Sequence, residues 1–206
     1  MSKVKKNIIK IILLGESGVG KTCLIQSFMD KEFSNTTSTF SFEYMNKEIV
    51  KDNIKYNIHI WDTAGQERFR SLSKIFIKDS QIVILVYDIT NQKSFDELPF
   101  WVNYAKGLLG ENVIIGVVGN KIDLFDKIEG ENDEENQIVD KEKAQKYSNE
   151  IKALFREVSA KENAKGFQEY INELIDLYLS KRKVPENELD AVPLDKNKKK
   201  EKRKFC

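Results

Sequence analysis

Three short stretches of this 206-residue chain carry residue types that could do chemistry on a phosphorylated ligand. The first is Gly15-Glu16-Ser17-Gly18-Val19-Gly20-Lys21-Thr22, which satisfies G-x-x-x-x-G-K-S/T between an apolar run and a helix-compatible segment. Glycines let such a loop curl so that consecutive N–H groups point inward at phosphate oxygens, aided by the positive end of the following helix. Lys21 would supply charge to the β- and γ-phosphates, and the Thr22 hydroxyl suits a magnesium ligand. Cys23, next in line, closes the phosphate-contacting stretch and is expected to be a small packed residue of the first helix.

The second stretch is Asn120-Lys121-Ile122-Asp123, placed after another apolar run, where open α/β sheets locate ligand contacts. The Asp123 carboxylate could accept two hydrogen bonds from a base that carries N–H and NH2 side by side, which describes guanine and not adenine. Lys121 could lie along the ring face while Asn120 ties this loop to the phosphate loop. Ser159-Ala160-Lys161 could present a backbone N–H to the base oxygen. Alone, such a string is a common surface turn; behind a phosphate loop it reads as a guanine reader.

The third stretch is Asp62-Thr63-Ala64-Gly65-Gln66. Asp62 ends an alternating strand, where a carboxylate can hold magnesium through water. Gly65 could bring its N–H to a γ-phosphate, and Gln66 falls where an amide could orient an attacking water. A helix N-cap with a tight turn is the purely structural alternative for this segment.

The elements that must position these groups can be outlined from patterning. Residues 8–14, 82–87 and 113–118 are near-continuous apolar runs, as expected of strands covered on both faces. Ile54, Tyr56, Ile58 and Ile60 alternate with polar residues and follow residues 42–50 across a KDN turn, which predicts a hairpin. Phe167, Tyr170, Ile171, Leu174, Ile175 and Tyr178 form one helical stripe. A helix is expected to begin near Ser94, with Glu97 completing a capping box and Pro99 in its first turn, and a weaker one spans 140–149. Residues 129–137, EGENDEENQ, read as a solvated insertion.

GESGVGKT, WDTAGQE, GNKID and SAK, in this order, resemble the Ras-superfamily small GTPases, and WDTAGQERFRSL with LVYDITN and Phe95 is most similar to the Rab family. The resemblance runs from residue 8 to about 182. It implies a P-loop small GTPase fold of class α/β: a six-stranded, mostly parallel sheet with one antiparallel strand and five helices on both faces. It implies a switch in which GTP and Mg2+ hold two loops that relax on hydrolysis to GDP. By the resemblance, Phe33 packs near the base and ribose, and Thr39 binds magnesium and the γ-phosphate, so that Gln66, Lys21 and Thr39 are the expected catalytic set and Thr22, Thr39 and Asp62 the expected metal set. The chain departs from the family at Thr39-Phe40-Ser41, where Rabs usually read T-I-G. It departs again at Ile75-Phe76-Ile77-Lys78-Asp79-Ser80, in place of a Y-Y-R-G-A type of segment, and in the acidic insertion.

Charge and cysteines bound the remaining possibilities. The 34 Lys and Arg against 33 Asp and Glu ask for no nucleic acid as a bulk partner, and two cysteines, Cys23 and Cys206, form no disulfide framework. No apolar run reaches the roughly 18 residues of a membrane helix, and the start of the chain reads better as a strand than as a signal peptide. A GTP-binding domain is expected over residues 1–183 and a basic tail over 184–206, whose last eleven residues hold seven basic residues and one acid. The resemblance implies prenylation at Cys206, and a lipid with a basic patch would bind the cytosolic face of intracellular membranes. An unmodified solubilising tail or a nucleic-acid-binding stretch is the other reading of that segment. Further implied partners are an exchange factor, a GTPase-activating protein, GTP-state effectors and a prenyl-binding escort or dissociation inhibitor, with a monomer as the expected state. The rival functions are a metabolic P-loop kinase, a switch of another branch of the superfamily, and a GTP-binding scaffold that scarcely hydrolyses.

Overall fold

The structure, a computed structural model, describes residues 7–30, 43–62, 70–125, 138–162 and 164–182. Six strands form one sheet: β1 (Ile8–Leu14), β2 (Glu43–Lys51), β3 (Ile54–Asp62), β4 (Ile82–Asp88), β5 (Ile114–Asn120) and β6 (Leu154–Glu157), in the order β2-β3-β1-β4-β5-β6. Only the β2–β3 pair is antiparallel; the other four pairings are parallel. β4 and β5 are buried at every position, as their continuous apolar runs require.

Burial on both faces demands helices on both faces, and successive strand residues divide accordingly. Ile9, Ile11 and Leu13 of β1 pack with α1 (Lys21–Phe28) and α6 (Ala164–Lys181), whereas Ile12 and Leu14 pack on the opposite side. That side is covered by α2 (Arg70–Ile77), α3 (Gln92–Asp96), α4 (Leu98–Leu109) and α5 (Lys141–Glu150). The stripe expected on the last helix is the inner face of α6: Phe167, Tyr170, Ile171, Leu174 and Ile175 have no exposed surface. Each such side chain contributes about 1.5–3 kcal/mol.

The hairpin forms as expected, with Asp52 and Asn53 both at positive φ (52° and 62°), which matches the mirror-image turn that suits strand twist. The helix expected to start near Ser94 does not. α3 begins at Gln92, and its cap is Asn91, whose side chain accepts from the Ser94 N–H. Ser94 is buried inside the first turn, and Glu97 is the junction to a separate helix, α4, which begins at Leu98 with Pro99 in its first turn. This break is why six α-helices stand among the described residues where five were expected. Asp140 caps α5 by accepting from the Glu142 and Lys143 N–H groups.

Connections leave β1 toward β3 on one side and β4 on the other, so the crevice beyond the carboxyl end of β1 lies at a topological switch point. Among the described residues no helix is long and apolar enough to cross a membrane. Phe33, Thr39, Gly65, Gln66, the 129–137 insertion and the tail with Cys206 lie outside the described residues.

Candidate functional site

The loop between β1 and α1 closes on its own lysine. Lys21 is only 5% exposed, and its ammonium donates to the carbonyls of Gly15 (2.9 Å) and Glu16 (2.8 Å). Burial lowers its pKa from the ordinary lysine value to about 8, against the carboxylates of Asp62 and Glu16, which raise it. Gly20 is the N-cap of α1 at φ 92°, with no side-chain cap bond and no acidic residue in the first turn. No side chain caps this helix start, which lies beside a buried cation. Ser17 and Gly18 are exposed at the loop's crest, Val19 is buried beneath it, and Cys23 packs partly buried against the core.

Strand phase brings together Thr22 and Asp62, two of the three expected metal residues. In β3 the inward positions are Tyr56, Ile58, Ile60 and then Asp62, so the period that buries the apolar residues also turns the carboxylate inward. There Thr22 Oγ1 donates to Asp62 Oδ2 at 2.6 Å.

The base-reading residues meet at the ends of β5 and β6. Asn120, 1% exposed, donates through Nδ2 to the Val19 carbonyl (2.9 Å) and accepts at Oδ1 from the Ala160 N–H (3.1 Å). One side chain thus joins the phosphate loop to both recognition loops. A Cβ on Gly20 would lie 2.3 Å from Asn120 Nδ2, so the motif's last glycine is required by this contact as well as by its φ. Ser159 Oγ donates to Asp123 Oδ1 (2.6 Å) and accepts from the N–H groups of Lys161 (3.2 Å) and Glu162 (3.0 Å). Of the Ser159-Ala160-Lys161 segment expected to present a backbone N–H to the base oxygen, the Ala160 N–H is engaged by Asn120 and the Lys161 N–H by Ser159. Lys121 adopts a left-handed backbone (φ 72°) ahead of the 3-10 turn that carries Asp123. Its ammonium pairs with Asp88 Oδ2 at 2.6 Å.

A family model described as the Ras family matches residues 10–179 of the chain. The chain belongs to the Ras family. It is 41% identical over 155 residues to Ras-related protein RabJ of Dictyostelium discoideum, a stretch covering 75% of this chain and 57% of that protein. It is 38% identical over 154 residues to Ras-related protein Rab-26 of Rattus norvegicus, covering 74% and 56% respectively. The matched stretch therefore spans little more than half the length of these curated relatives.

Ras-family proteins bind GTP or GDP with Mg2+, and the residues of this family member fit that pair. A buried ammonium beside an uncapped helix start accommodates a phosphate chain. Thr22 and Asp62 offer two hard oxygen donors on one spot, and no cluster of three or more His, Cys, Asp or Glu gathers among the described residues. Such a donor set suits Mg2+, which keeps waters and shares its remaining positions with substrate phosphates. The sequence reading missed one residue of this Ras-family corner, Asp88. It ends β4 as Asp62 ends β3, and a carboxylate closing an apolar run at a strand's carboxyl end was the available signal.

Proposed function

We propose that the protein is a Rab-type GTP/GDP switch that binds GTP with Mg2+, hydrolyses it slowly and acts in intracellular vesicle trafficking. The observation that carries the nucleotide reading is the double engagement of Asn120 with Val19 and Ala160, which couples a phosphate loop to a corner containing Asp123. Lys21 holds positive charge against the phosphates, and Asp123, oriented by Ser159, accepts the paired N–H groups of guanine. Thr22, Thr39 and Asp62, the last through water, would hold Mg2+, which when bound neutralises charge developing on the β- and γ-oxygens. Phe33 lines the base and ribose, Gly65 meets the γ-phosphate, and Gln66 orients the attacking water. Unaided turnover on the order of 10⁻⁴ to 10⁻² per second is expected when no arginine finger acts in cis.

Residues 1–183 form the switch domain in this reading. The basic 184–206 segment with a prenylated Cys206 holds it reversibly at cytosolic membrane faces, where exchange factor, activating protein and effectors meet it. The deciding measurement is competition of GTP and ATP for the purified full chain: GTP is favoured by several kcal/mol, because adenine leaves the Asp123 carboxylate unpaired. Equal affinities overturn the guanine reading. Single-turnover phosphate release then separates a working GTPase from a hydrolysis-poor scaffold. Gln66→Leu should slow that release while nucleotide affinity stays near normal.

A further inference from the structure

Both carboxylate oxygens of Asp88 are committed. Oδ1 accepts from Thr90 twice, from the N–H at 2.9 Å and from Oγ1 at 2.8 Å. Oδ2 lies 2.6 Å from the Lys121 ammonium. The Asp88 side chain is 10% exposed and that of Lys121 31%, so the pair is formed at the rim of the protein interior and not in open water. Capping of the following helix does not need this carboxylate, because Asn91 performs it.

The backbone aims the two groups at each other. Asp88 stands opposite Asn120 in the β4–β5 register, and the Ile89 N–H donates to the Asn120 carbonyl, so the two chains are still hydrogen-bonded where the strands end. Lys121 is the next residue, and its left-handed backbone departs from the strand direction. Its ammonium is brought to the end of β4.

We propose that Asp88 is a positioning residue of the base slot: it holds the Lys121 side chain across the carboxyl ends of β4 and β5 as a preformed wall for the guanine ring. The proposal rests on the guanine-nucleotide reading above. An unanchored lysine has four side-chain torsions that the ligand would have to freeze. Here one end of the side chain is fixed by the backbone and the other by a carboxylate that Thr90 itself immobilises. Guanine then meets a wall already in place, and the gain is the same for GDP and GTP because it concerns only the base.

The test is a double-mutant cycle on GDP dissociation from the full chain with Mg2+, followed by filter binding of radiolabelled GDP. Asp88→Asn keeps the Oδ1 acceptor for Thr90 and removes the charge that holds Lys121. It should raise the dissociation rate roughly tenfold in the native background and less than about twofold in a Lys121→Ala background. An unchanged rate in Asp88→Asn, or the same factor in both backgrounds, overturns the proposal and leaves Asp88 a structural residue. Thr90→Val keeps the backbone N–H bond to Oδ1 and loses only the hydroxyl, so it should give a smaller rise that again vanishes without Lys121. This second cycle decides the matter should Asp88→Asn fail to fold. A native chain that takes up no guanine nucleotide overturns the underlying reading, and this proposal with it, before any variant is compared.

Discussion

The hydroxyl of Tyr170 occupies the space that a side chain on Gly116 would need: a Cβ there would lie 2.2 Å from Tyr170 Oη. That hydroxyl, on α6, reaches the carbonyls of Leu154 on β6 (2.9 Å) and Val117 on β5 (3.2 Å). Burial holds the phenol well above its ordinary pKa, so it keeps its proton and remains a donor at neutral pH. Gly116→Ala should destabilise the chain by about 2–3 kcal/mol through overpacking, and Tyr170→Phe by about 1 kcal/mol through the lost hydrogen bond. The double variant should lose less than the sum, since removing Oη removes the worst overlap and leaves Leu174 Cδ1 at 3.0 Å and Tyr170 Cζ at 3.1 Å. Urea unfolding measures all three. A strictly additive result would mean that Tyr170 swings away from Gly116 at no cost.

How far this frame was legible in the residues depends on the range of the interaction involved. Fully buried strands and the α6 stripe depend on one-dimensional periodicity, and Asp62 could be placed because it continues the phase of Tyr56, Ile58 and Ile60. The start of α3 was misread because residues 88–94, DITNQKS, contain four residue types able to cap. The choice among them is made by a tertiary fact: Ser94 Oγ accepts from the buried Asp88 N–H, which leaves Asn91 to cap. Asp88 itself looked like the last residue of a strand. Its partner Lys121 is 33 positions away, and only the parallel β4–β5 register brings the two together.

Asn120 should behave as a residue whose two ends cannot be lost separately. Asn120→Ala strands the Val19 carbonyl and the Ala160 N–H in a region that is almost fully buried. A loss of about 2–3 kcal/mol in nucleotide-free stability is expected. Asn120→Asp keeps the acceptor for Ala160 but sets a carboxylate against the Val19 carbonyl, so it should be no better than alanine. Thermal unfolding with and without nucleotide reads both effects. A native-like melting temperature for Asn120→Ala would show that water replaces the amide and that the loops are not joined through it.

Lys21 gives a pH signature whose sign follows from its environment. With its pKa lowered to about 8, the folded, nucleotide-free protein binds fewer protons than the unfolded chain between about pH 8 and the ordinary lysine value. Its stability therefore rises with pH across that window, and the cost of burying the ammonium is fully present below it. Phosphate oxygens beside the ammonium restore the charged form, so nucleotide binding near pH 8 should take up roughly half a proton. Calorimetric titration in two buffers of different ionisation enthalpy measures this uptake. It should disappear at pH 6.5, and in Lys21→Arg, whose guanidinium stays charged throughout. Equal heats in the two buffers at pH 8 would show that Lys21 is fully protonated before the nucleotide arrives.

Thr22 and Asp62 share one hydrogen bond at 2.6 Å and are expected to share one metal ion, which makes chelation a test of both. If Mg2+ holds the nucleotide through these oxygens, EDTA should accelerate GDP release from the native chain by at least tenfold, because the phosphates lose their bridging cation. Thr22→Val has the same shape but neither donates to Asp62 nor ligates a metal. It should release GDP fast even with Mg2+ present, and EDTA should then change little. Thr22→Ser keeps the hydroxyl and should recover most of the metal dependence, which rules out a mere packing defect at the start of α1. Thr22→Asn, with a bulkier amide, should weaken GTP more than GDP, since the γ-phosphate depends on the same ion. The comparison that matters is the EDTA response of Thr22→Val: a variant still accelerated as strongly as the native chain would place the ion on other oxygens and remove Thr22 from the metal site.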